Sequence, residues 1–177
     1  MKKTTALICI VLTFFIIYFL QSNFFTWFNI AGIMPNLYVI LVLFEGLFIK
    51  RKLGLVFGIA FGLYLDIVLG KTVGISALVL GAVGLIGEIL SKNFSKDSRF
   101  IVTIMVMGIT AIYETASYLL TILRTGATIE IFAFLKILLI EIIFNTLITI
   151  IIYPIIKKAG YYVEDLFDDK FILTRYF

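Results

Sequence analysis

Apolar residues fill six stretches, at about 4–21, 35–49, 53–69, 74–91, 100–123 and 131–156, separated by short polar or charged segments. Crossing about 30 Å of hydrocarbon takes roughly 20 apolar residues in a helix, so the pattern predicts an all-α membrane protein with six transmembrane helices. The second and third stretches are short and divided by Lys50, Arg51 and Lys52. One long helix through that triplet would put three cations in lipid, so the pattern predicts a hairpin whose basic turn snorkels to the headgroups. Pro35 is placed at the first turn of the second helix and Pro154 at the end of the last.

Polar positions inside these stretches mark faces. Glu45, Asp66, Glu88, Glu114 and Glu141 put one acid in every predicted helix but the first. A central acid costs about 2.5–3.5 kcal/mol on insertion scales, which predicts that these side chains point into the bundle or lie near an interface. In the third helix Gly54, Gly58, Gly62 and Asp66 are spaced by four. Such a row drifts about 40° per step and suits a close right-handed crossing. In the fourth, Gly74, Ala77, Gly81, Gly84, Glu88 and Ser91 alternate in steps of three and four, a seam of small residues ending in a carboxylate. These residues form a candidate packing or partner face.

The fifth helix carries a polar stripe of Thr110, Glu114, Ser117, Tyr118 and Thr121, and the sixth one of Glu141, Asn145, Thr149 and Tyr153. A hydrated ligand cavity and hydrogen bonding across helices compete to explain them. With no Pro or Gly pair breaking a helix at mid-membrane, the second is favoured. Lys136 lies inside the last stretch, and a buried ion pair with Asp66 or Glu114 is a candidate, with snorkelling to the surface as the alternative.

Composition agrees with this picture. The 177 residues are 62% hydrophobic, with mean hydropathy +1.15, which leaves room for one integral membrane domain, 1–158, and a tail, 159–177. The tail carries Glu164, Asp165, Asp168 and Asp169 among apolar residues, and a short surface helix or a disordered segment would suit it. The net charge of +4 is scattered in short clusters, which argues against nucleic acid and encodes topology instead. Lys2 and Lys3, 50–52, Lys92, Lys96 and Arg99, and Lys157 and Lys158 all fall on one side of a six-helix chain, placing both termini in the cytoplasm. Phe24, Phe25, Trp27 and Phe28 suit an outer interfacial loop, and Gln21 to Phe25 offer no cleavage site, so the first segment is expected to remain as an anchor. There is no histidine, and Cys9 is the one cysteine. With no nucleophile elbow or phosphate loop either, neither an enzyme nor a metal or cofactor site is expected.

The run from Pro35 through the basic turn to Gly62-Leu63-Tyr64-Leu65-Asp66, then Leu69-Gly70 and Gly74-Ile75-Ser76-Ala77-Leu78, resembles the rod shape-determining protein MreD family. In that family a proline opens the second helix, and a glycine-rich third helix ends in GLxxD. The resemblance is clearest over about 35–80. It implies a non-catalytic inner-membrane scaffold of bacterial cell elongation. The implied partners are an MreC-like bitopic protein, an MreB-like filament, a wall-synthesis glycosyltransferase and transpeptidase, and membrane lipids. The family is also similar in architecture to the substrate-binding membrane subunits of energy-coupling-factor vitamin transporters, which supplies an alternative function.

Overall fold

A computed structural model describes residues 2–49, 52–70 and 72–167. The described residues form α1 (Lys2–Phe19), extended by a π-helical turn (Leu20–Phe24), then α2 (Leu37–Phe48), α3 (Leu53–Val68), α4 (Ile75–Asn93), α5 (Arg99–Thr125) and α6 (Ile131–Phe167). No strand occurs among them; a lone bridge joins Ile30 and Ile33. Among the described residues, four helical spans are long and apolar enough to cross a membrane: Lys3–Phe24, Ile75–Asn93, Arg99–Thr125 and Ile131–Phe167. Six helices are present among the described residues, two of them shorter than such a span. At 12 and 16 residues, α2 and α3 extend only about 18 and 24 Å.

The short α2 is the centre of the bundle. Each of its residues is buried, and it packs against all five other helices. Apart from Glu45 this helix is apolar all round, with no polar face to give to water, so burial on every side is its stable place. Its start differs from expectation: Pro35 precedes the helix, and Asn36 caps it by accepting the Val39 N–H at 3.4 Å. The outer helices are built the opposite way. α1 buries Ala6, Ile10 and Phe14 and exposes most of its other apolar side chains, with Phe14 stacked on Phe61 of α3 at 4.0 Å between centroids. Trp27 is 88% exposed, and Phe24 and Phe28 are also exposed, in the loop before α2.

α6 continues through Pro154 to Phe167, so it does not stop at the proline, and the division drawn between 158 and 159 falls inside it. A proline removes one helical hydrogen bond, a loss that tertiary contacts can offset. Those contacts lie beyond it: Lys96 pairs with Glu164 at 2.6 Å, and the Tyr161 ring packs edge-on against Phe48 at 5.1 Å. Asp168 and Asp169 lie outside the described residues.

Candidate functional site

Three helices meet at backbone contact. A Cβ added to Gly54 would come 2.8 Å from Gly46 Cα and 3.1 Å from Gly84 O. One added to Gly58 would strike the Leu80 carbonyl, and one added to Gly62 would strike Ala77 Cα. Gly81 faces Ile59 of α3, with 2.7 Å left for a Cβ, and a Cβ added to Gly87 would come 2.8 Å from Leu43 O of α2. Glycine rows allow such approach because nothing projects from the backbone, and helices in lipid associate largely through this packing. Gly46 and Gly87 were not singled out from the sequence, although their spacing from Gly54 and Gly84 was open to inspection.

Asp66 is 1% exposed, and its Oδ2 accepts the Gly74 N–H at 2.7 Å. The spacing placed Gly74 at the head of the α4 seam, but it lies outside the helix. It is the residue ahead of α4, at φ +103°, a conformation that other L-residues rarely adopt. The carboxylate thus closes the α3–α4 turn. Glu88 does the same at the other end: Oε2 accepts the Lys52 N–H at 2.8 Å, and Oε1 pairs with Lys92 at 3.1 Å. Lys52, at φ +58°, leads into α3.

The structure does not bring Lys136 to Asp66. Lys136 is exposed on the outside of α6, Asp66 is buried under α4, and no ion pair among the described residues joins Lys136 to Asp66 or Glu114. Glu114 is half-buried on α5.

The buried residues of α6 are Glu141, Asn145, Thr149 and Tyr153, the polar i+4 row itself. Asn145, fully buried, is its centre. Its Oδ1 accepts the Asn36 N–H at 2.8 Å, and its Nδ2 donates to Thr110 Oγ1 of α5 at 3.1 Å. Gln21 completes the arrangement, donating to the Pro35 carbonyl at 2.6 Å and accepting from Leu37 N–H at 3.2 Å. A helix that begins inside a bundle exposes N–H groups with no water to satisfy them. Here three side-chain amides, Gln21, Asn36 and Asn145, take that role. Gln21 and Asn36 were missed because nothing in their spacing marks them; the placement of Asn36 directly after Pro35 was the available hint.

The end of the bundle bearing Lys52 gathers the basic residues. Lys96 sits over the Phe48 and Tyr161 rings at 4.7 and 5.2 Å, and its carbonyl accepts the Tyr153 hydroxyl at 2.9 Å. Lys157 pairs with Asp97 at 2.7 Å. The Lys157 ammonium and, second, the Tyr161 hydroxyl hold the Asp97 carboxyl below the usual aspartate range.

The family model of the rod shape-determining protein MreD matches residues 1–159. The chain belongs to the MreD family. No curated protein sequence and no solved structure matches it. Membership in the MreD family gives a role in rod shape determination, and the apolar helices give a multi-pass membrane protein. The MreD-like run quoted above takes in α2, α3 and the start of α4, with its aspartate accepting from its glycine across the α3–α4 turn.

Proposed function

We propose that the protein is a non-catalytic scaffold of the bacterial elongation machinery in the cytoplasmic membrane. It joins an MreC-like bitopic protein to an MreB-like filament and to the wall-synthesis glycosyltransferase and transpeptidase. The observation that carries this reading is the family match across residues 1–159. Geometry adds to it: Asn145 and Tyr153 spend their polar atoms on other parts of the fold, and the glycines of α3 are occupied by α4. Interior polarity used in this way favours a rigid body over a solute pathway.

Both termini are assigned to the cytoplasm, because Lys52, Lys92, Lys96 and Lys157 are tied together at one end through Glu88, Phe48, Tyr161 and Asp97. That end would meet the filament and anionic lipid. The lipid-facing surfaces of α1, α5 and α6 remain for single-pass partners. With its glycines covered from within the fold, the Gly54–Gly58–Gly62 row with Gly81 serves internal packing.

The test is purification of the tagged chain from its native membrane. A single-pass partner recovered in stoichiometric amount supports the scaffold. Recovery of the chain alone, with marked stabilisation by a vitamin-like solute, would favour the transporter-subunit alternative; saturation at 100 times the dissociation constant adds about 2.7 kcal/mol.

A further inference from the structure

At the outer end of the bundle, α1, α2 and α3 stop near one level. Gln21 and Asn145 meet the start of α2, Tyr64 of α3 packs on Tyr18 of α1 at 5.8 Å between centroids, and Asp66 closes the turn into α4. The last two helices continue. Thr110 and Asn145 are hydrogen-bonded at that level, and beyond it α5 runs about 22 Å further to Thr125, while α6 begins about 21 Å out, at Ile131. From Glu114 to Ile140 no residue is buried. This arm is held to itself, by the Tyr118 ring stacked on Phe134 at 4.4 Å and the Tyr118 hydroxyl accepting the Glu130 N–H at 2.9 Å.

The arm is longer than the bilayer can cover. Arg99 and Lys157 lie over the same Tyr153 ring, which sets the inner ends of α5 and α6 at one level. Ile151 and Ile155 are exposed just ahead of Lys157, so lipid tails reach down to it. A hydrocarbon core of about 30 Å, roughly 20 helical residues, then ends near Leu119 on α5 and near Lys136 on α6. Lys136 thus stands at the outer boundary, and Leu123, 81% exposed, and Phe132, 86% exposed, stand beyond the tails. Apolar side chains exposed there mark a contact site, and above the tails the contact is a protein. We propose that the tip of the α5–α6 arm docks a helix of a single-pass membrane protein where that helix leaves the bilayer, with apolar side chains against Leu123 and Phe132 and a carboxylate level with Lys136.

Lys136 selects this occupant. Phe132, Lys136 and Leu139 follow i, i+4 and i+7 and share one face, so a helix seated on Phe132 passes the ammonium. A second copy related by a twofold axis along the membrane normal would bring Lys136 to Lys136 at equal height. The exposed acid of the arm, Glu130, lies about 9 Å further out. The inference rests on the scaffold reading, which supplies a single-pass partner, and on the cytoplasmic assignment of both termini.

Two measurements test it. With the chain alone in lipid nanodiscs, in a Cys9→Ser background, a charged maleimide should modify Leu123→Cys at least tenfold faster than Leu139→Cys; equal rates would place the tip in lipid and overturn the proposal. In native membranes, a benzophenone side chain in place of Phe132 should cross-link to a single-pass protein, at the stretch adjoining the outer end of its span and beside an Asp or Glu. That cross-link should fall tenfold or more in Lys136→Glu, persist in Lys136→Arg, and return when the mapped acid is reversed to Lys. Thermal unfolding of Lys136→Glu close to that of the parent shows that the loss is not misfolding. Adducts of lipid mass, a cross-link to a second copy, or one indifferent to Lys136→Glu would each overturn the proposal. A single-pass partner that co-purifies yet never cross-links at Phe132 overturns the docking site and leaves the scaffold reading standing; absence of any single-pass partner overturns both.

Discussion

Replacing Asn145 with Leu probes the element that most defines this fold, a short central helix that starts inside the bundle. The substitution keeps apolar bulk but removes the acceptor for the Asn36 N–H and the donor to Thr110, both at a fully buried site. An orphaned buried N–H costs about 1–3 kcal/mol, and an interhelical hydrogen bond in a membrane protein averages about 0.6 kcal/mol. Asn145→Leu should therefore cost about 2–4 kcal/mol, a fall in Tm on the order of 5–15 °C for a chain of this size. Thr110→Val removes only the second bond and should cost about 0.6 kcal/mol. The double variant should match Asn145→Leu alone, because Thr110 has nothing left to lose. Thermal unfolding in a single detergent, followed by circular dichroism, measures all three. A stability of Asn145→Leu within about 0.5 kcal/mol of the parent, or additive losses in the double variant, would refute the idea that this amide satisfies the start of α2.

Three further outcomes follow from named contacts. Gly58→Ala drives a methyl into the Leu80 carbonyl and should destabilise by about 1–3 kcal/mol, whereas Gly108→Ala meets open space and should gain about 0.5–1 kcal/mol; the same unfolding assay separates them. Asp66→Leu orphans the Gly74 N–H and should cost about 1–3 kcal/mol, while Asp66→Asn keeps an acceptor and should cost less; Lys136→Leu should leave stability nearly unchanged, measured alongside. Because the folded Asp97 carboxyl is held below its ordinary range, its tie to Lys157 contributes at pH values above the unfolded aspartate pKa and is lost as pH falls through the folded value. Spin labels at Asn93 and Tyr162 should show a distance distribution that broadens in that acid window, and one already broad at neutral pH in Asp97→Asn.

The legible parts of the fold were those governed by period and charge. The i+4 row of Glu141, Asn145, Thr149 and Tyr153 marked the buried face of α6, because polar side chains in a lipid-facing helix have nowhere else to go. The basic clusters marked one end of the bundle, and Asp66 lies beside the glycine row. What could not be read was how deep each element sits. Composition does not distinguish a 12-residue helix wrapped by five others from a shallow transmembrane span. The start of α2 depends on amides 15 and 109 residues from Asn36 along the chain, Gln21 and Asn145. Pro154 was misleading for a similar reason, since the contacts that carry α6 past it come from Lys96 and Phe48 on other elements. Lys136 and Asp66 were matched by expected depth alone, whereas helix rotation decides which side chains meet, and it turns Lys136 outward.

The central claim is that this six-helix membrane body serves rod shape. Cell width measured by microscopy while the protein is depleted in a rod-shaped host, with the parent chain or Asn145→Leu supplied in trans, tests it most directly. The account predicts widening and rounding on depletion, restored by the parent chain and restored poorly by Asn145→Leu. Cells that keep normal width throughout depletion would contradict it.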